Sequence, residues 1–148
     1  MIEARLTTKA IDTPALLAEL ADAQDGALVL FLGVVRNHHQ GRSVAHIDYE
    51  AYEPMALKEL QRITHAVAQS YALSNVLVVH RFGRHNIGDA SIAVVIGSPH
   101  RGPAFEAARE IMDQVKKDVP IWKKEHFSDG TIEWVLADKL VRSSAQKG

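Results

Sequence analysis

The sequence predicts one α+β domain, residues 1–148, with a mixed, mainly antiparallel sheet and three main helices. Hydrophobic periodicity gives the order strand, helix, two strands, helix, two strands, helix and two strands. Strands that follow one another without a helix between them form hairpins, which distinguishes this class from a doubly wound parallel sheet. The length suffices for one core, and the chain has no repeat, linker or low-complexity tract that would divide it.

The first strands and the first helix are predicted from simple patterns. Residues 2–7 alternate apolar and polar side chains, as a half-buried strand does. The Thr-Pro pair at 13–14 supplies an N-cap and a first-turn proline for a helix. The apolar run 27–35 predicts a strand covered on both faces, and Gly33 within it indicates a bulge or a close backbone approach.

The middle of the chain contains the second helix. The polar stretch 37–42 lacks periodicity and predicts a mobile surface loop. Residues 44–51 alternate as a strand, and Pro54 opens a helix. Two further apolar strands and the turn-rich segment between them follow, at residues 76–79, 92–96 and 83–89.

The third helix is predicted to begin with Gly102 as N-cap and Pro103 in the first turn, and to end before Pro120. Its apolar face consists of residues at helical spacing: Ala104, Ala107, Ala108, Ile111, Met112 and Val115. Lys116 lies at the border of that face, where a lysine either extends its ammonium group to water or faces a cleft. A partly desolvated lysine in a cleft can serve as acid, base or nucleophile.

The C-terminal part predicts a hairpin. Residues 120–127 form a strand, placed at a sheet edge because of its proline, and Asp129-Gly130 signals the turn to a returning strand at 131–136. Residues 143–148 are predicted to be a frayed tail.

Composition excludes several classes of function. A net charge of −1 argues against a large nucleic-acid interface, and no apolar run is long enough to span a membrane. The absence of cysteine excludes disulfides and thiolate chemistry on this chain and fits a cytoplasmic protein. Although there are eight histidines, no metal and no cofactor are predicted, because the chain lacks a His-Glu-x-x-His motif and the adjacent His38 and His39 would point to opposite faces of a strand.

The residues that suggest chemistry form a cationic set: Arg36, His100, Arg101, Lys116, Lys123 and Lys124. Because a proline-marked turn follows the third helix, a short strand can return Lys123 to the helix end, with Glu125 on the same strand face. Such a site suits an anionic small molecule. Three readings stay open on these grounds: an enzyme that uses its lysines for proton transfer, a phosphate-ester hydrolase or lyase that uses His100 with Lys116, and a docking patch for an acidic partner.

In these segments the chain resembles the large, catalytic subunit of molybdopterin synthase. The matching residues are 31–39, 49–56, 80–83, 88–89, 98–101, 104–107, 111–116 and 119–125. The most specific of them are Ile-Met-Asp-Gln-Val-Lys, ending at Lys116, and Val-Pro-Ile-Trp-Lys-Lys-Glu, ending at Glu125. The resemblance runs in order over roughly residues 25–135, which short chance matches would not do. It implies an α/β-hammerhead-like fold.

The resemblance also implies a sulfurtransferase of molybdenum cofactor biosynthesis. Its substrate would be cyclic pyranopterin monophosphate, and its sulfur donor a small ubiquitin-like subunit with a C-terminal Gly-Gly thiocarboxylate. The implied assembly is a heterotetramer with a central homodimer of large subunits and a small subunit at each end. The catalytic positions fall on Lys116, for acid–base work or transient capture of the carrier, and on Lys123, for substrate binding or charge stabilisation. The substrate-binding positions fall on Val34, Val35, Arg36, His100, Arg101, Lys124 and Glu125.

Overall fold

Three helices and ten strands make up the part of the chain that the computed structural model describes, which is residues 1–136 and 139–140. The helices are α1 (Thr13–Leu20), α2 (Glu53–Ser70) and α3 (Arg101–Asp118). The strands are β1 (Ile2–Thr7), β2 (Ala27–Val34), β3 (His38–His39), β4 (Arg42–Ala51), β5 (Asn75–Arg81), β6 (Gly83–Asn86), β7 (Ala90–Ser98), β8 (Ile121–Phe127), β9 (Ile132–Leu136) and β10 (Lys139–Leu140). The predicted α+β class is confirmed, while the predicted frayed tail lies outside the described residues.

The first sheet has the strand order β1-β5-β7-β2, and only the β1–β5 pair is parallel. Its two central strands are buried on both faces, as their apolar runs predict. Helices α2 and α3 cover one face, where Leu60 and Ile111 pack with Val94. Helix α1 covers the other face through Leu16 and Leu20. The sheet is therefore the middle layer of the domain.

The second sheet has the order β10-β9-β8-β4-β3, with β6 pairing β4 on the same side as β3. Strand β8 lies between β4 and β9, so the prediction of an edge strand is wrong. The reason is that Pro120 precedes the first residue of β8 and therefore removes no hydrogen bond from the ladder. The hairpin predicted at Asp129-Gly130 is confirmed, and Gly130 adopts the positive φ of 91° that its turn requires.

Strand β2 departs from its prediction because it lies at the edge of the first sheet. Leu28, Phe31 and Val34 are 46%, 39% and 55% exposed, so the strand is not covered on both faces of this chain. The prediction for Gly33 is confirmed in both respects. The ladder slips between Gly33 and Val34, and a Cβ at Gly33 would lie 2.8 Å from Cγ2 of Ile92.

The stretch predicted as a mobile loop forms a tight hairpin instead. His38 and His39 pair with β4, and the turn between the strands uses positive φ angles at Gln40 (52°) and Gly41 (77°). The turn-rich segment near Gly83 likewise contains the short strand β6. Strands of two to four residues carry too little periodicity to be recognised from sequence.

Both predicted N-caps are displaced. Helix α1 is capped by Asp12, whose carboxylate accepts a hydrogen bond from the backbone N–H of Ala15 at 3.2 Å. Aspartate competes well with threonine for this position, and its three-residue spacing to the bonded N–H is that of an N-cap. Helix α3 begins at Arg101, with His100 as its N-cap. The helix thus starts two residues before the proline, which takes its third position.

Candidate active site

A cavity of about 350 Å³ opens between the two sheets, where β2, the last turn of α3 and β8 meet. Its wall contains eight titratable side chains: Arg36, His38, His39, Tyr49, His80, Lys116, Lys123 and Glu125. Apolar groups such as Val35 and Ile92 complete the wall. A concave apolar site with a few convergent polar groups is the usual form of a small-molecule site.

Local sequence explains how the two lysines reach this cavity. Lys116 lies in the last turn of α3, and Pro120 prevents the helix from continuing. The chain turns and re-enters the second sheet as β8, which brings Lys123 back to the helix end. Because side chains alternate along a strand, Glu125 faces the cavity together with Lys123.

Strand β2 supplies the opposite wall through its irregular end. The ladder slip after Gly33 lets the chain bend, so that Val34, Val35 and Arg36 all line the cavity. Val35 is 3% exposed and is held by hydrogen bonds between its backbone and those of Gly88 and Asp89. The bulge therefore brings Arg36 to the cavity wall.

Six of the nine site residues predicted from the sequence line this cavity: Val34, Val35, Arg36, Lys116, Lys123 and Glu125. The other three, His100, Arg101 and Lys124, lie elsewhere. Lys124 points to the opposite face of the sheet, with Nζ 5.4 Å from the ring centroid of Trp134. His100 and Arg101 are exposed at the far end of α3. Arg101 and Lys116 are about fifteen residues apart in the helix, and a rise of about 1.5 Å per residue separates them by roughly 22 Å.

Glu125 is a buried carboxylate, 2% exposed, with a specific partner. Its Oε1 lies 2.7 Å from Nδ1 of His39, which also lines the cavity. Since a carboxylate accepts, Nδ1 of His39 is the donor. This bond orients the carboxylate next to the lysines. Sequence analysis missed His39 because the pairing depends on the short hairpin of β3.

His80 and Tyr49 also line the cavity, and sequence analysis assigned them no role. His80 is 5% exposed, and burial lowers the pKa of its imidazole to about 4. Tyr49 lies edge-on to His80, with ring centroids 5.6 Å apart. The available signal was a histidine at the end of an otherwise apolar strand, which is more often a core residue than a ligand.

The depressed pKa of His80 predicts a loss of stability in mild acid. The unfolded chain binds a proton at this residue below its ordinary pKa of 6.5, whereas the folded chain does so only below about 4. Between those values the free energy of unfolding falls by about 1.4 kcal/mol per pH unit from this group. His80→Phe removes this pH-dependent contribution. The free energy of unfolding of the variant minus that of wild type, measured by urea unfolding, should therefore rise by about 2 kcal/mol from pH 7 to pH 5. Parallel pH profiles for the two proteins would contradict the assignment.

A second cluster lies on the opposite face of the second sheet. His46, Asp48 and His126 place three potential ligand atoms within 4.8 Å of one another. The two imidazoles stack at 4.0 Å, and Asp48 accepts a hydrogen bond from His126 at 2.9 Å. The register places Arg84 and Lys124 on either side of Asp48, and two positive charges there oppose a bound cation. The cluster is separate from the cavity and does not change the prediction of no metal.

Fold and cavity together define an α+β domain in which lysines from a helix end and from a strand line one cavity. Residues 6–118 match the family model described as MoaE protein, and the chain belongs to that family. None of the helices in the described residues is long and apolar enough to cross a membrane.

Relatives and solved structures support the same assignment. The molybdopterin synthase catalytic subunit of Nostoc sp. is 44% identical over 115 residues, which cover 77% of this chain and 70% of the relative. Molybdopterin synthase catalytic subunit 1 of Mycobacterium tuberculosis is 40% identical over 131 residues, 88% of each chain. The crystal structure of molybdopterin synthase from Staphylococcus aureus matches with a TM-score of 0.82 and 33% identity, over 87% of this chain and 93% of that chain. The resemblance inferred from the sequence and the prediction of an enzyme of this type are confirmed.

Proposed function

We propose that this chain is the catalytic subunit of a sulfurtransferase that converts cyclic pyranopterin monophosphate to molybdopterin. The sulfur comes from the C-terminal thiocarboxylate of a small ubiquitin-like carrier subunit. The observation that carries the proposal is the convergence of Lys116 and Lys123 on one cavity with Arg36 and the buried Glu125. The names of the relatives, which are catalytic subunits of molybdopterin synthase, supply the product.

The chemistry requires an external sulfur donor, because the chain has no cysteine. In each transfer the carrier's sulfur forms a bond to a carbon of the pterin side chain while a carbon–oxygen bond at that carbon breaks, and the oxygen leaves with the phosphate or as water. Water then cleaves the bond between that sulfur and the carrier's acyl carbon. The carrier leaves as a carboxylate. Lys116 serves this sequence by proton transfer or by transient capture of the carrier's acyl group, and Lys123 stabilises the negative charge that develops.

Substrate binding follows from charge and shape. Arg36 can bind the phosphate through paired N–H donors, while Val34 and Val35 contact the ring system. Glu125, oriented by His39, can accept hydrogen bonds from donors of the substrate. Lys124 lies outside the cavity, so its predicted role in binding depends on a contact with a bound partner.

A homodimer reconciles the remaining predictions. His100 and Arg101 cannot reach the cavity of their own protomer across roughly 22 Å of helix, so in this proposal those of a second copy complete it. The exposed apolar side chains of β2 offer surface for such a partner or for the carrier.

Reconstitution tests the proposal. The purified chain is mixed with a thiocarboxylated carrier and cyclic pyranopterin monophosphate, and the dithiolene product is assayed together with released phosphate. Product that depends on the carrier is expected. Phosphate release without a carrier would favour the hydrolase, and neither product nor phosphate with a competent carrier would favour a docking module.

A further inference from the structure

His80 lines the cavity but has no part in the chemistry described above. Its ring stacks on Phe82 with centroids 5.3 Å apart and an angle of 26° between the planes. Tyr49 packs edge-on against it, with centroids 5.6 Å apart. Because the ring is also 5% exposed, packing fixes its orientation. A rigid imidazole in a binding cavity presents one fixed polar atom to whatever is bound.

Hydrogen bonding determines which polar atom that is. Nδ1 of His80 lies 3.1 Å from the carbonyl oxygen of Arg81, and a carbonyl can only accept. Nδ1 therefore carries the proton of the neutral ring, and Nε2 carries a lone pair. His85, behind Tyr49, repeats this arrangement with Nδ1 2.9 Å from the carbonyl oxygen of Gly83. Burial, and to a smaller extent the neighbouring His85, lowers the pKa of His80, so its Nε2 stays an acceptor.

We propose that Nε2 of His80 accepts a hydrogen bond from a ring N–H of the bound pterin and so determines which ring system the cavity takes. The inference rests on the proposed function, because the ligand is the substrate of that reaction. The phosphate and the thiocarboxylate are anions without a proton to donate at neutral pH, and the cationic side chains of the cavity suit them. The fused ring of the pterin is the part of the substrate that presents N–H donors.

Two other donors must be distinguished from the pterin ring. The ammonium groups of Lys116 and Lys123 belong to the same cavity, so the first alternative is that His80 tunes a lysine. If His80 tunes a lysine, its substitution changes kcat. If His80 binds the substrate, its substitution changes KM and the dissociation constant. Peptide N–H groups of the carrier tail are the second possibility, and they affect affinity for the carrier alone.

The test uses two substitutions with opposite expectations. His80→Phe keeps a planar ring against Phe82 and removes the acceptor, whereas His80→Gln keeps an acceptor oxygen. Calorimetry of the full chain with cyclic pyranopterin monophosphate should show the dissociation constant rising about tenfold in His80→Phe, with most of the affinity kept in His80→Gln. In the reconstituted synthase KM should rise in parallel while kcat stays within about twofold. His65→Phe, on the exposed side of α2, is the matched control.

The outcomes separate this inference from the proposed function. A wild type that makes no dithiolene refutes the function, whereas a productive wild type whose pterin affinity equals that of His80→Phe refutes the role of His80. A fall in kcat alone, or weaker binding of the carrier alone, also overturns it. Nitrogen-15 NMR of the ligand-free chain shows which ring nitrogen of His80 carries the proton, and this test needs no variant. A His80 ring protonated at Nε2 would overturn the inference even if His80→Phe failed to fold.

Discussion

Replacing Lys116 with alanine is expected to lower the rate of dithiolene formation by about 10²–10⁴-fold, the range that a positioned acid–base group supplies. Lys116→Arg should be nearly as inactive, because a guanidinium group keeps the positive charge but cannot release its proton or form an acyl intermediate at neutral pH. Single-turnover reactions with excess thiocarboxylated carrier measure the chemical step directly, so that product release does not mask the loss.

Lys117→Ala is the control for Lys116. It removes a lysine from the same helical turn, and that lysine does not line the cavity. Its rate should stay within about twofold of wild type, as exposed surface substitutions usually do. Full activity of Lys116→Arg would instead show that only the charge matters, and the docking-patch reading would then replace the catalytic one.

That Lys116 and Lys123 line one cavity could be predicted, because the two residues are close in the sequence. A helix ends at a proline, a short turn follows, and the next strand runs back past the helix end, all within about ten residues. Alternation along β8 separates Lys123 and Glu125, which line the cavity, from Lys124, which does not. The family resemblance had grouped all three, and strand parity is the physical reason that they divide.

The rest of the site depends on contacts between distant parts of the chain. The pair His39–Glu125 joins residues 86 apart, and it exists because β3 folds onto β4 beside β8. His80 and Tyr49 meet because the two sheets come together at the cavity. Hydrophobic periodicity reports which residues are buried but not which strands become neighbours, and it could not show that β2 is an edge strand.

The position of Arg101 leads to the second prediction, that at substrate concentrations well below the wild-type KM two nearly inactive variants restore activity in one dimer. Arg101→Ala removes a charged contact to the phosphate and should raise KM about 10–100-fold, and Lys116→Ala stops the chemistry. In a mixed dimer one cavity combines the intact Lys116 of one protomer with the intact Arg101 of the other. Mixed dimers isolated by two different affinity tags should therefore show about half of wild-type activity, since one of two equivalent sites is complete.

The same experiment contains its own control. A mixed dimer of Lys116→Ala with Lys123→Ala has no complete cavity, because both lysines of a site come from one protomer. It should stay inactive, whereas restoration there would mean that subunits exchange or that the lysines act across the dimer. If Lys116→Ala with Arg101→Ala also stays inactive, Arg101 does not complete its partner's cavity. The homodimer would then lose its role in catalysis, and the exposed N-terminus of α3 would have to be assigned to the carrier or to solvent.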